Sequence, residues 1–470
     1  MSASPIEVSI TTLPTELIFL ILSFLPPKAY KAFSRISKAC RRASIPFVFR
    51  QLRLFPDNIH LWQKNPNICV AARRLSLYAL HSRHEADLMD HWRICTNAVG
   101  LFPNVTGLKL LYESSSWYLQ RRDPGARTSL DNKLLQFDNR LFNAIFSTLS
   151  TFPFYHSQLK KLHIEIDKFY STREEYPLNI SAENREFLNS ANKVITENGL
   201  GGVPFPQGIE EAVLTGRTVF FTPPGYNLSS FTALQHCQDS LKSFTILGTP
   251  EDLMYFPNNS LRRPKDAYIK APILNLDISD SVYPNVTVLC VGGAFTTNDF
   301  FYELPARFPR VRELRLHDSS ATLGLKITEQ LEEVTSMLRA FEELKVAVLP
   351  WPLKEVDRDD WDSPDWDPVP PVSIDEIEAT VRFWLADSRL GQLNRVAFWS
   401  WDNIGSTNYY GDAVILGIRK GRRGEFEFDT KKIRCYTKEE LFPILGKGWE
   451  PVCWIDYSKR RPREGLVIGL

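Results

Sequence analysis

The sequence predicts an α/β chain in which a short helical module precedes a long alternation of short strands and helices. Three observations carry that prediction. Residues 13–50 place apolar side chains at three- and four-residue steps between prolines. A six-residue pattern, apolar-x-x-apolar-x-apolar, then recurs along most of the chain. Segments with helical spacing lie between its copies. With 470 residues, 43% of them hydrophobic, the chain has the material for packed cores and is not a disordered protein.

The first helix opens at Leu13-Pro14. Proline fits a first helical turn, where its missing N–H costs nothing. Glu16 then lies near the positive end of the helix dipole. Leu17, Ile18, Ile21, Leu22 and Leu25 form a broad apolar face, and Pro26-Pro27 ends the helix. A second helix carries Ala29, Phe33, Ile36 and Cys40 on one side, with Lys28, Lys31, Arg35 and Lys38 mostly off it. A third short segment carries Arg41, Arg42 and Ile45, and Pro46 interrupts it. Two features suggest an intermolecular role. A bundle of about 40 residues is at the lower limit of independent folding. The first helix is also apolar beyond its main stripe, at Phe19, Leu20 and Phe24, and Leu13 is a poor N-cap that a neighbour would bury. A helical hairpin packed on the rest of the chain is the alternative.

The order Leu13-Pro14, Glu16-Leu17, Ile21-Leu22-Ser23-Phe24-Leu25-Pro26, Ser37-Lys38 and Arg41-Arg42 resembles the F-box. Cys40 departs from that family's frequent tryptophan, Phe47 and Phe49 stand near its late aromatic pair, and Tyr30 replaces a small aliphatic residue. The resemblance implies a three-helix module that docks onto a Skp-type adaptor of a cullin-based ubiquitin ligase. The residues it implies for docking are Leu13, Pro14, Glu16, Leu17, Ile21, Leu22, Leu25 and Pro26, with Phe33 and Ile36 in support.

The six-residue pattern appears as Ala72/Leu75/Leu77, Val105/Leu108/Leu110, Leu159/Leu162/Ile164, Leu241/Phe244/Ile246, Val286/Leu289/Val291, Val311/Leu314/Leu316, Phe341/Leu344/Val346 and Leu393/Val396/Phe398. Its last two apolar positions alternate as on a strand with one buried face. Ile209/Ala212/Leu214 reads as a hidden copy. Phe102-Pro103-Asn104, Tyr283-Pro284-Asn285 and Phe308-Pro309-Arg310 are shared lead-ins, and proline is tolerated just before a strand. Leu141 to Leu149, Phe187 to Ile195 and Leu331 to Phe341 read as intervening helices. The alternation resembles an irregular leucine-rich-repeat-like α/β solenoid. A generic α/β domain with ordinary parallel strands is the alternative. The domains expected are a helical module over 1–55, a repeat-like substrate-binding domain over 56–400 and a C-terminal cap over 401–470.

Glu355 to Pro371 is dense in aspartate and proline and holds Trp361 and Trp366, so it reads as an acidic loop near 355–371, with partner anchoring as the sharper alternative. A helix resumes at Ser373, with Glu376 completing a capping box and Ile374, Ile377, Val381 and Trp384 as its apolar face. Ala413 to Ile418 and Glu425 to Phe428 read as a hairpin joined by Gly421-Arg-Arg-Gly424. Trp449 and Trp454 add apolar bulk, and the basic residues Lys459 to Arg463 read as surface.

Net charge is +1, which gives no reason to expect a general nucleic-acid or membrane binder. No apolar run reaches a membrane span, and the N-terminus lacks a signal core. The seven cysteines are scattered without a Cys-x-x-Cys pair, which fits reduced thiols in cytoplasm or nucleus. Asn104-Val-Thr and Asn285-Val-Thr match glycosylation sequons and read as coincidence without a secretory route. Phosphate-loop, nucleophile-elbow and zinc-helix motifs are missing. His81, His84 and His91 could share a metal but read more simply as polar helix surface. Asp359, Asp360, Asp362, Asp365 and Asp367 lack the spacing of a calcium loop. The expectation is a non-catalytic adaptor subunit without cofactor or metal, joined to a Skp-type adaptor and cullin at one end and to a substrate protein at the other. Strand alternation nominates Lys109, His163, Glu165, Arg315 and His317 for the substrate. A repeat scaffold unrelated to ubiquitin ligation is the competing function.

Overall fold

A computed structural model describes residues 13–78, 85–114, 141, 143–168, 181–189, 205–216, 237–247, 282–293, 304–318, 327–350, 373–400, 411–421 and 425–435. The acidic loop at 355–371, His81, His84, Gly421's partners 422–424, and Trp449, Trp454 and the 459–463 basic tail lie outside the described residues. The fold is mixed α/β, with helices at the N-terminus and a long run of strands after them. The chain divides into two compact units, Met1–Ile209 and Glu210–Leu470.

The first unit begins with three helices, α1 (Thr15–Phe24), α2 (Pro27–Ser34) and α3 (Lys38–Val48). Helix α1 starts one residue later than the proline rule predicts. Pro14 is the N-cap, and its carbonyl accepts from Leu17 N and Ile18 N, both at 3.1 Å. Leu13, just outside, packs against a cluster containing Ile18 of the first turn, the placement of a hydrophobic staple. The expected single helix through Phe33, Ile36 and Cys40 is two helices. Ser37 breaks it by taking extended backbone and accepting from Cys40 N at 3.0 Å, so it caps α3. Pro46 does not interrupt α3 but lies inside its last turn. So near the end, only a short stretch of helix remains for the proline to disturb.

Strand β1 (Gln51–Leu54) follows α3 almost at once, then short helices α4 (Ile59–Gln63) and α5 (Pro66–Ala71), then β2 (Arg74–Tyr78), α6 (Glu85–Ala98), β3 (Gly107–Ser114), α7 (Pro153–Ser157) and β4 (Lys161–Lys168). Residues 143–150 and 182–189 are also helical. The strands are parallel and in sequence order. Leu52, Leu75, Leu108 and Leu162 stand opposite one another, as do Leu54, Leu77, Leu110 and Ile164, and all are buried. The pattern read from sequence is therefore a cross-strand ladder, the unit of sheet stabilisation.

The second unit repeats the device in β5 (Glu211–Gly216), β6 (Ser243–Leu247), β7 (Val288–Gly293), β8 (Glu313–Asp318), helix α8 (Ile327–Ala340), β9 (Val346–Pro350), helix α9 (Ile374–Ala386) and β10 (Arg395–Ser400). These strands are again parallel, with Ala212, Phe244, Leu289, Leu314, Ala347 and Val396 in one buried row. The hidden copy at Ile209/Ala212/Leu214 forms β5. One copy is out of phase with the expectation. Leu344/Ala347/Leu349, not Phe341/Leu344/Val346, supplies the inward set, because Val346 pairs with Glu313 and Arg395 on the other parity. Antiparallel β11 (Gly411–Lys420) and β12 (Phe426–Cys435) follow, longer than the sequence suggested, and Leu416 extends the buried row beside Val396. Helix α9 has its expected capping box, with Ser373 Oγ accepting from Glu376 N at 3.3 Å and Ser373 N donating to Glu376 Oε2 at 2.8 Å. Its Trp384 Nε1 donates to Thr335 Oγ1 of α8 at 2.9 Å.

Each strand starts in the same way. The carbonyl of Arg50 accepts from the amides of both Arg73 and Arg74, and Arg73 and Thr106 do the same for the next two strands. In the second unit Glu210, Lys242, Thr287, Arg312 and Lys345 repeat that arrangement. Side-chain amides add ties at one repeated position. Asn104 Nδ2 donates to Val70 O at 2.8 Å, Asn285 Nδ2 donates to Asp239 O at 2.9 Å, and Gln392 Nε2 donates to Glu342 O. Thr106 and Thr287 hydroxyls reach the carbonyls of Arg73 and Lys242. The two Asn-Val-Thr triplets thus have a packing role that explains the sequon-like spacing.

Candidate functional site

The N-terminal helices divide α1 into two faces. Ile18 and Leu22 point inward with Phe33, Cys40 and Ala43 to form the module's interior, flanked by Leu25, Tyr30 and Phe47. Leu17, Leu20 and Phe24 recur at three- and four-residue steps on the other side, and they are 45%, 54% and 80% exposed. Phe19 is exposed at one edge, its ring 6.0 Å from Phe47. Ile36, between α2 and α3, is also exposed. Several large apolar side chains exposed on one helix are unusual for a surface that faces only water.

The residues nominated for docking therefore fall into three groups. Pro14, Glu16, Leu17, Pro26 and Ile36 are exposed, while Leu13, Ile21 and Leu25 are half-buried. Leu22 and Phe33 are interior, so they fix the shape of the module and offer no surface of their own. Leu20 and Phe24 are the outer residues that the nomination left out. Their signal was already present, as apolar positions outside the main helical stripe.

Of the residues nominated for substrate, Lys109 and His163 are paired across β3 and β4. Glu165 stands opposite Leu111, two positions further along β4, and its side chain lies outside the described residues, as does that of His317. Arg315 belongs to the second unit, where it is 6% exposed and ion-paired with Glu313. The His163 imidazole is held well below its ordinary range, first by burial and then by the positive charge of Lys109. It is therefore neutral at pH 7.

Among the described residues no group of His, Cys, Asp and Glu could hold a metal ion. The described cysteines, Cys40, Cys69, Cys95, Cys237 and Cys290, are buried and in the thiol form, outside any disulfide. Burial, with Asp57 adding to it, pushes Cys95 up to about 12, and burial pushes Cys237 up to about 12. Such thiols make poor nucleophiles. No described helix is long and apolar enough to cross a membrane.

Residues 10–50 match the F-box domain family. The chain is an F-box protein, and that domain implies a role in protein–protein interaction. No curated protein matches the chain.

Proposed function

We propose that the chain is the substrate-recognition subunit of a Skp–cullin–F-box ubiquitin ligase. The observation that carries the proposal is the exposed row Leu17, Leu20 and Phe24 on α1, within the stretch that matches the F-box. The outer face of α1, with Pro14, Glu16, Pro26 and Ile36, docks the adaptor. Leu22 and Phe33 hold that face in shape from inside. Burial of a large apolar side chain is worth about 1.5–3 kcal/mol, so a few such residues suffice for a specific contact.

The remainder is a leucine-rich-repeat-like solenoid with the antiparallel strands β11 and β12 as its cap. The in-register ladders, the repeated strand starts and the amide ties support that reading, since each unit buries its face against the next. The subunit has no bond chemistry of its own. It holds a substrate lysine near a separately recruited conjugating enzyme, so catalysis is by proximity. Only Phe49 and Arg50 separate α3 from β1, so the docking module is joined to the first strand by a short link.

The test is co-purification of the chain with a Skp-type adaptor, compared with a Leu20→Asp/Phe24→Asp variant. The expected result is stoichiometric adaptor with the intact chain and none with the variant, both showing the same far-UV circular dichroism. A folded intact chain that recovers no adaptor overturns the proposal.

A further inference from the structure

At one end of its strands the first unit gathers positive charge, both just before the strands and on the face opposite the buried ladder. The positions just before and at the strand starts form rows in register. One row holds Arg50, Arg73, Thr106 and Lys160, the next Gln51, Arg74, Gly107 and Lys161, and the third Arg53, Ser76, Lys109 and His163. Every charged residue in these rows is basic. Arg50, Arg53, Arg73, Arg74, Lys160 and Lys161 are exposed. Some of these residues, Lys161 and Lys109 among them, also make contacts within the chain.

Gly107 is buried, and the Arg74 stem lies against the space a side chain would take. A Cβ there would stand 3.2 Å from Arg74 Cγ and 3.6 Å from Lys161 Cβ. Arg74 and Lys161 therefore flank a residue with no side chain, one strand to either side. The corresponding rows of the second unit have a different composition. They include Glu210, Glu211 and Glu313; Lys242 pairs with Glu210 at 2.8 Å, and Arg312 pairs with Glu343, two residues before the row position Lys345. The third row there, Val213, Thr245, Cys290, Arg315, Val348 and Ala397, is buried.

We infer that the strand-start face of β1–β4 binds an acidic, extended segment of a partner protein that crosses the strands over Gly107. This rests on the substrate-receptor reading and names the chemical class of its substrate. Charge complementarity selects the occupant. Strands two apart are separated by about 10 Å, and an extended segment of polyproline-II type has three residues per turn and rises about 3.1 Å per residue, so every third side chain lies on one face. Carboxylates three residues apart on the segment thus meet Arg74 and Lys161 together.

The test is fluorescence anisotropy with a labelled peptide of repeated Glu-Ser-Ser units, titrated with the full chain. Binding is expected to weaken as salt rises and to fall about tenfold or more in Arg74→Glu/Lys161→Glu. Lys345→Glu, in the second unit, should leave it unchanged, and a Gln-Ser-Ser peptide should not bind. Gly107→Val, which pushes the Arg74 stem aside without changing charge, should also weaken binding. Equal binding by the chain and its charge-reversed variant overturns the inference, as does tighter binding of single-stranded poly-dT than of the peptide. Failure here is separable from failure of the ligase reading, because Leu20→Asp/Phe24→Asp should keep peptide binding and Arg74→Glu/Lys161→Glu should keep adaptor binding.

Discussion

The two units are built on one backbone device and present two different surfaces. Both stack parallel strands with an inward apolar row, and both start each strand with one carbonyl shared by two amides. In the first unit the strand-start positions are basic and exposed. In the second they alternate with glutamates and form ion pairs, and the neighbouring row is buried. The ladder therefore decides the fold in both, whereas the positions just before the strands and the opposite parity are left to vary. A difference in function between the units is to be sought at those positions.

The largest expected effect is common to both units. Leu162→Ala in the first and Leu314→Ala in the second each remove a side chain 1% exposed or less. Each should cost about 2–5 kcal/mol in denaturant unfolding, since a core cavity adds to the lost transfer energy. A loss in only one unit would break the claim that the ladders are equivalent. The next effect separates the units. Arg74→Glu/Lys161→Glu should weaken acidic-peptide binding about tenfold or more, while Arg312→Glu/Lys345→Glu should leave it within about twofold.

A third expectation concerns pH. The folded chain keeps His163 neutral, with Lys109 facing it across β3 and β4. Its pKa is depressed on folding, so below its ordinary value of 6.5 the unfolded chain takes up a proton that the folded chain refuses. The stability this histidine contributes is thus full above pH 6.5 and declines as pH falls below it. His163→Gln should flatten that part of the stability profile, and an unchanged slope between the two proteins would contradict the assignment. The smallest effect should again be shared. Asn104→Ala and Asn285→Ala each remove one amide-to-carbonyl tie, worth about 1 kcal/mol, and similar melting shifts would mark the ties as equivalent.

Much of this was legible in the sequence because the ladder needs apolar residues at fixed steps, and the steps survive in Val105/Leu108/Leu110 or Val311/Leu314/Leu316. The F-box was legible for a similar reason, as its helices are bounded by Pro14, Pro26 and Pro27. Two features were hidden by periodicity itself. Phe33, Ile36 and Cys40 keep helical spacing across the break at Ser37, so only the side-chain cap reveals it. Phe341, Leu344 and Val346 fit the strand pattern as well as Leu344, Ala347 and Leu349 do, and the pairing of Val346 with Arg395 decides between them. The outer row of α1 was visible as an excess of apolar residues, yet spacing alone cannot say which stripe faces the interior. Lys109 and His163 were nominated by alternation, but that Arg53, Arg74 and Lys161 lie beside them is visible only once the register aligns β1–β4.

The most direct test of the account is titration calorimetry of a Skp-type adaptor into three purified chains: the intact protein, Leu20→Asp/Phe24→Asp, and Arg74→Glu/Lys161→Glu. The account predicts equal affinity for the intact chain and the charge-reversed variant, and a loss of at least about 100-fold, or 2.7 kcal/mol, for the α1 variant. Binding unchanged by the α1 substitutions, or no binding by the folded intact chain, would contradict it.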